Sequence, residues 1–363
     1  MPRQRTIYQS EALFVGPTPA TGAHFLYDGS GNITGNLIQQ LDRIQSSNHN
    51  FNVPRQDVNE YGVLAAIDRV ILDSPTVALD FSYLIRNALN EEKLGLVVDG
   101  SSGVLSNLIN ASQDQKNYFI LEVPEGNDAV GGDTNEAANG VHGIGNGFIS
   151  SLSWEGQVGQ FPKSTVQVQA FNYKVDIGSS GNNIPAINTS NGLLITGQAY
   201  ALPATTTGVG VSVLKPGDIT LSLSGVQGYS IADLKIQSFR LNAPITREPI
   251  QKLGSRFPFA RLIRFPINAT LEVSAVVGDL NATDLADVLC NDQAYNLTVN
   301  LALPSCSGNG ATAVQYTLLG AKLDSQNSSA NVGSNNSLTL NWLTPLGGPN
   351  DNQHNLYISG VLN

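Results

Sequence analysis

The triplet Ile44-Gln45-Ser46 recurs 192 residues later as Ile236-Gln237-Ser238. At this offset, and without a gap, residues 44–82 and 236–274 share ten identities, which include Arg55 with Arg247 and Gly62 with Gly254. A repeat period of this length indicates two copies of a whole domain. Because a duplicated domain doubles a surface more readily than an active site, the repeat favours a role in assembly over catalysis.

The length supports the same division. A chain of 363 residues accommodates two domains of ordinary size, each with its own core. We expect residues 1–180 to form the first domain and residues 190–363 the second. The linker, residues 178–191, is rich in Gly, Ser and Asn.

The composition favours strands and turns. Only 13% of the residues are charged, while Val, Ile, Thr and Gly are plentiful. A net charge of −10 argues against binding of nucleic acid through its phosphates, which requires Lys and Arg. No signal peptide and no run of eighteen apolar residues is present, so we expect a chain made in a cytoplasm. Whether Cys290 and Cys306 are bonded stays open.

Strand-like segments recur in matching places. We expect strands at the positions that follow: Thr6–Val15, Ile33–Ile44, Val70–Leu84, Tyr118–Val123, Phe148–Trp154, Thr165–Val175, Leu194–Leu202, Ile219–Ile236, Leu262–Val277, Leu297–Leu303, Val314–Leu323, Leu338–Leu343 and Asn355–Leu362. One helix is expected in each half, near Asn87–Leu94 and near Asn281–Leu289, where Asn281 and Thr283 suit an N-cap. The pattern predicts a small β-sandwich or partly closed barrel in each half.

The chain contains no catalytic signature. It has no Gly-x-Ser-x-Gly, His-Glu-x-x-His or P-loop motif, and its four histidines are scattered. Asp128, Asp133 and Glu136 offer oxygen ligands for Ca²⁺, although carboxylates in a Gly-rich loop are more often solvated. We therefore predict no enzyme activity, no cofactor and no metal.

Two long polar stretches, residues 47–69 and 239–261, follow the repeated triplet. The second contains Ile245–Arg261, which concentrates Arg, Lys and Phe in a chain with few charges. Arg and aromatic side chains are common at protein interfaces. We therefore predict a contact between subunits, with Phe257 and Phe259 packed in the loop's own core as the alternative. The predicted contact residues are Arg55, Gly62, Arg247, Glu248, Gly254, Arg256 and Phe257.

The order of these parts resembles the tail tube proteins of tailed bacteriophages. The resemblance lies in an opening strand with a flexible loop, a long loop after the second strand, the strand-then-helix unit Thr270–Leu289, and the late strands Tyr316–Leu323 and Ser337–Trp342. It covers most of residues 196–345 and, more faintly, residues 7–178. The fold class implied is mostly β, with two tandem tail-tube-like β-sandwich modules that each carry one flanking α-helix.

The resemblance also implies a function. Members form homo-oligomeric rings that stack into a tube, and the tube passes duplex DNA without specific binding. The implied partners are further copies of this chain in a three-fold or six-fold ring and other tail proteins, without a membrane, in a virion assembled in the host cytoplasm. Because the family has one module, two modules in one chain also suit a tail hub protein. A carbohydrate-binding decoration or receptor-binding protein is the alternative.

For the wall of the channel, we predict strands from both modules, with polar and acidic side chains facing inward. Asp80 and Glu272, at equivalent positions of the repeat, are the candidate lumen residues.

Overall fold

The computed structural model describes residues 11–18, 25–27, 33–124, 128–132, 138–207, 213–223, 234–277, 293–305, 310–329, 337–349 and 351–362. These residues are mostly β, as predicted. The first half contains β1 Glu11–Pro17, β2 Phe25–Tyr27, β3 Ile33–Asn36, β4 Gln39–Gln40, β5 Ile44–Asn52, β6 Arg55–Val58, β7 Asp68–Ile71, β8 Thr76–Leu84, β9 Lys116–Glu122, β10 Gly140–Gln157, β11 Lys163–Ala170 and β12 Asn172–Ile177. The described helices are short: α1 Leu89–Lys93, α2 Ser106–Ile109, α3 Ala129–Gly132, and a 3-10 turn at Pro216–Asp218.

Four two-residue strands follow the first half: β13 Ser180–Gly181, β14 Ile187–Asn188, β15 Leu193–Leu194 and β16 Tyr200–Ala201. The second half contains β17 Ile219–Leu223, β18 Leu234–Pro244, β19 Arg247–Ile250, β20 Ala260–Ile263, β21 Ile267–Val277, β22 Tyr295–Ala302, β23 Thr312–Ser329, β24 Ser337–Leu346 and β25 Asn355–Gly360. We call β1–β12 the first repeat and β17–β25 the second repeat.

The strands form two layers. One layer is a continuous antiparallel sheet in the order β5-β8-β11-β10-β18-β21-β24-β23, with four strands from each repeat. The other layer consists of β1-β9-β10-β12 in the first repeat and β17-β22-β23-β25 in the second. Alternation explains the layering: in β8, Val77, Leu79, Phe81 and Tyr83 are buried while the residues between them are partly exposed.

The two repeats agree residue for residue in strand register. β5 pairs Ser46 with Ser82, and β18 pairs Ser238 with Ser274. Both pairs follow a β-bulge at the second residue of the repeated Ile-Gln-Ser triplet. A bulge inserts one residue into a strand and increases its twist, so its recurrence indicates the same local shape in both copies.

The long polar stretches contain β-hairpins, not irregular loops as predicted. β6 pairs with β7 and β19 pairs with β20, again at matching positions. The hairpins turn at Gly62 (φ +91°) and Gly254 (φ +81°), a conformation that glycine adopts without strain. Residues 70–84 and 262–277 are consequently two strands each, because the hairpin's second strand ends before the next strand begins.

Some sequence-based assignments need correction. The predicted strand Ile33–Ile44 is divided among β3, β4 and the first residue of β5. The predicted strand Leu194–Leu202 is divided between β15 and β16, which pair with β14 and β13, and Tyr200 packs against Phe119 of the first repeat. The second predicted helix and both cysteines lie outside the described residues.

The backbone of the first repeat also forms hydrogen bonds with β25 of the second repeat. The amides of Gly100 and Val104 donate to the carbonyls of Ile358 and Leu356 at 2.9 and 2.8 Å, so residues 97–104 extend the second repeat's outer layer. One hydrophobic core continues through both repeats, and in it Trp154 packs against Tyr316 at 5.3 Å between ring centroids. The two repeats therefore share one hydrophobic core.

Leu241→Ala tests this shared core. Leu241 is completely buried opposite Trp154, and loss of its side chain leaves a cavity. We expect the free energy of unfolding to fall by about 2–5 kcal/mol. Because one core spans both repeats, chemical denaturation followed by fluorescence and by circular dichroism should show a single transition for both the wild type and the variant. Leu64→Ala, at a fully exposed position, is the control, with a change within about 0.5 kcal/mol. Two separate transitions would contradict a shared core.

Candidate assembly interface

The two repeats meet where β10 pairs with β18. Residues 151–157 pair with residues 238–244 in reverse order. The joint continues at both ends, since the Val158 amide donates to the Gln237 carbonyl at 2.9 Å and the Ile245 amide to the Ser150 carbonyl at 2.8 Å. This joint makes one sheet from two repeats.

One face of this sheet is polar. The register places Asp80 between Asn48 and Gln167, and Glu272 between Arg240 and Asn341. The opposite face is covered by the second layer of strands. The two candidate lumen residues thus lie on the same face of one sheet, and their role in a channel stays a prediction.

A row of alternating charges crosses this face at the joint. Lys163 Nζ lies 2.8 Å from Glu155 Oε1, and the register continues from Glu155 to Arg240 and then to Glu272. The four side chains line one surface depression of about 190 Å³. Each cation therefore has a carboxylate beside it on a neighbouring strand.

Among the described residues that the strand register places on this face, acids do not predominate. Within the described residues, the charged side chains that the strand register places there are Asp80, Glu155, Glu272, Lys163, Lys235, Arg240 and Lys322.

Arg247, predicted to contact another subunit, binds within its own chain. Its guanidinium forms two hydrogen bonds to the Asp114 carboxylate, at 2.6 and 3.0 Å, and Nε donates to the Ile149 carbonyl at 2.7 Å. It also lies 5.1 Å from the centre of the Phe148 ring. The side chain is completely buried, so it joins the second hairpin to the first repeat.

Other residues of the second hairpin, β19–β20, contribute to the same contact. Arg261 lies over Phe171 at 5.0 Å and donates to Gln169 at 2.8 Å. Phe257 packs against a small cluster of Phe148, Phe171 and Ile187. Phe257 is therefore closer to the alternative interpretation, in which it packs within its own chain.

The remaining predicted residues of this hairpin are exposed. Glu248 and Arg256 face solvent, and Gly254 forms the tip. No described contact to another chain tests them, so their role in assembly stays a prediction.

The first hairpin, β6–β7, has the same register but lies open. Arg55 takes the place of Arg247 and is exposed, as are Gly62 and Arg69. Arg69 forms an ion pair with Asp57 at 3.1 Å, and both side chains are more than half exposed. The large apolar side chains that the hairpin exposes are Val58, Tyr61, Val63, Leu64, Ile67, Val70, Ile71 and Leu72. Exposed apolar clusters of this kind mark interaction surfaces.

Glu91 of α1 is a buried carboxyl where the repeats meet. Its Oε1 accepts hydrogen bonds from the Tyr83 hydroxyl at 2.9 Å and from Trp154 Nε1 at 3.2 Å. Among the described residues, neither Glu91 Oε2 nor the Tyr316 hydroxyl has a hydrogen-bond partner. Burial raises the pKa of the Glu91 carboxyl.

Sequence reasoning missed Asp114 and Glu91. Asp114 lies in an ordinary polar turn, and Glu91 is one of two adjacent acids in a weak helix. Neither residue carries a local signal, because each is defined by a partner distant in sequence. In the part of the chain that the structure describes, no cluster of three or more His, Cys, Asp or Glu is arranged to hold a metal ion. None of the described helices is long and apolar enough to cross a membrane.

Comparisons with known proteins give little further information. No family model matches the chain, and no curated protein matches it. Among solved structures, it is similar to a chain of the anti-feeding prophage (AFP) baseplate, determined by cryo-EM and six-fold symmetrised. The match covers 39% of this chain and 91% of that chain, with 16% sequence identity and a TM-score of 0.26. A TM-score this low supports no conclusion about function.

Arg247→Ala should destabilise the protein, whereas Arg55→Ala should not. Removal of Arg247 leaves the Asp114 carboxylate without its cation in a mostly buried site, which costs about 3–5 kcal/mol. Arg55 is the exposed counterpart, so its loss should change the free energy of unfolding by no more than about 0.5 kcal/mol. Urea denaturation of both variants measures the difference. If Arg247→Ala changed the free energy of unfolding as little as Arg55→Ala, the contact of the second hairpin with the first repeat would contribute nothing to stability.

Glu91→Gln should alter how stability depends on pH. Because the pKa of Glu91 is raised on folding, the folded protein holds this proton more tightly than the unfolded chain. Its stabilising contribution is complete below the ordinary pKa of 4.5 and is lost as pH rises through the raised value. The Glu91→Gln variant should not lose this stability as pH rises. Midpoints of urea denaturation measured between about pH 4 and about pH 9 test this expectation. Glu92→Gln, at the exposed neighbouring position, is the control. If stability depended on pH in the same way in the wild type and in both variants, this role for Glu91 would be excluded.

Proposed function

We propose that this protein is a non-enzymatic structural subunit that joins head to tail into closed rings, and that stacked rings form a phage tail tube through which DNA is ejected. The joint between β10 and β18 carries the proposal. It shows how one repeat binds the next within a chain, and the eight-stranded sheet ends in two strands equivalent to those that form the joint.

One of these strands is β5, the counterpart of β18. Ile44–Asn52 correspond to Ile236–Pro244 in sequence, pairing register and bulge position. Within the described residues, β5 is the last strand of its sheet and pairs with β8 on one side. An edge strand presents unpaired amides and carbonyls, which readily accept another strand.

The other strand is β23, the counterpart of β10. Both strands are 18 residues long, and each has a bulge at equivalent positions, Ile149/Ser151 and Leu323/Ser325. Residues 325–329 therefore correspond to residues 151–155, which pair with β18. Pairing of β23 with β5 of the next chain would repeat the internal joint.

Closure of such a sheet decides which face lines the channel. The apolar face is covered by the second layer, so that layer must lie outside and the polar face inside. Ser, Thr, Asn and Gln on this face offer weak contacts to phosphate. Each cation in the charged row has an adjacent acid, which reduces its attraction for DNA. These features suit a duplex that slides without adhering.

The exposed first hairpin supplies a surface for further contacts. We assign it to the adjacent ring or to another tail protein, because its apolar side chains would be covered there. Under this proposal the protein belongs to the virion tail. The ring order remains three-fold or six-fold.

Phe51→Pro should prevent ring formation while the chain still folds. The Ile245 amide faces β10, so by alternation the Ala243 amide does too, and Phe51 is the counterpart of Ala243. Proline removes the outward amide of β5 and leaves its pairing with β8. Phe51→Ala keeps the amide and should still form rings. Negative-stain microscopy and sedimentation of concentrated protein give the result, with thermal unfolding as the check on folding.

Rings or tubes of wild-type protein would support the proposal. Wild-type protein that stays monomeric at every concentration would overturn it. Normal rings from Phe51→Pro would show that β5 does not form the joint.

A further inference from the structure

Two grooves of similar size lie at equivalent positions in the repeats, between the first strand and the bulged strand. Each of the two grooves has a volume of about 70 Å³. The matching lining residues are Ile219, Leu221, Ile236, Gln237 and Ser238 in the second repeat, and Glu11, Leu13, Ile44, Gln45 and Ser46 in the first.

The groove of the second repeat receives the β10–β11 turn of the first repeat. Gly156, Gln157 and Val158 form one of its walls, and the Val158 amide donates to the Gln237 carbonyl at 2.9 Å. The fit requires glycine, because a Cβ at Gly156 would lie 2.6 Å from the Phe239 ring.

The groove of the first repeat lacks such a wall among the described residues. Ser47, which lines this groove, is the counterpart of Phe239 in the second repeat. Its hydroxyl is buried and has no hydrogen-bond partner in the described part of the chain. A buried polar atom without a hydrogen-bond partner is uncommon in folded proteins.

The sequence of the second repeat supplies a matching occupant. At the offset that relates β10 to β23, Gly156-Gln157-Val158-Gly159 corresponds to Ala330-Asn331-Val332-Gly333. The placement of residues 330–333 lies outside the described residues, so this correspondence is one of sequence. Where the internal joint sets Gly156 against Phe239, the chain-to-chain joint would set Ala330 against Ser47. Ala330 is larger than Gly156, and Ser47 is correspondingly smaller than Phe239.

We infer that the groove beside Ser47 is the socket for the Ala330–Gly333 segment of a second copy of this chain. The inference rests on the proposed head-to-tail assembly and adds its direction and register. In the assembled pair, the Val332 amide would donate to the Gln45 carbonyl, as Val158 does to Gln237.

A paired substitution tests the fit. Ser47→Phe should raise the concentration needed for half-assembly about tenfold or more, because Phe leaves no space for the Ala330 methyl group. Ala330→Gly in the same chain recreates the combination of the internal joint and should restore assembly. Thermal unfolding checks that Ser47→Phe is folded. Failure of Ala330→Gly to restore assembly of a folded Ser47→Phe variant would overturn the socket.

Disulfide trapping tests the register. Gln157 and Ser238 flank the hydrogen-bonded pair Val158–Gln237, so they form a non-hydrogen-bonded pair with Cα atoms about 4.5 Å apart, within disulfide range. The equivalent pair between chains is Asn331 and Ser46. In a Cys290→Ser/Cys306→Ser background, Asn331→Cys with Ser46→Cys should give covalent multimers on oxidation. Gln157→Cys with Ser238→Cys should close within the chain and stay monomeric.

The outcomes separate the two proposals. Rings without multimeric cross-links overturn the socket and leave the proposed function standing. Absence of rings in every variant and in the wild type overturns both.

Discussion

Backbone hydrogen bonding along β10 is the constraint on which the rest of the structure depends. Residues 140–147 pair with β9 and β12 in the outer layer, whereas residues 148–157 pair with β11 and β18 in the continuous sheet. One strand thus belongs to both layers and to the joint between repeats. Bulges at Ile144/Gly147 and Ile149/Ser151 make this change of sheet possible, because a bulge bends a strand without ending it. β23 repeats this arrangement, so a strand equivalent to β10 lies at the other end of the eight-stranded sheet.

The sequence was sufficient to predict the features that local patterns determine. The 192-residue repeat predicted two copies of one fold, and the repeated triplet coincides with a bulge in each copy. Gly62 and Gly254, singled out by the repeat, prove to be hairpin tips with positive φ. Within strands, alternation of apolar residues identified β8 and β21, although their boundaries were placed too early by the length of the preceding hairpin strand.

What the sequence could not predict is which distant residues meet. Arg247 was correctly identified as unusual, but its partner proved to be Asp114 of the same chain, 133 positions away. Nothing near Asp114 marks it as a partner for Arg. Glu91, Tyr83 and Trp154 likewise meet only because α1 is folded beneath two strands. The pairing of β10 with β18 joins segments that are distant in sequence, so no local window of sequence contains it.

The two repeats are equivalent in their strands but not in their hairpin sockets. Arg247 of the second hairpin binds Asp114 and stacks on Phe148, whose counterparts in the second repeat are Gln293 and Lys322. Arg55, which replaces Arg247 in the first hairpin, would meet like charge there instead of a carboxylate and a ring. Under the proposed assembly, the strand joint recurs from chain to chain, whereas the hairpin contact does not. Duplication within one chain allows this difference: one hairpin fixes the two repeats together, and the other leaves its apolar side chains exposed.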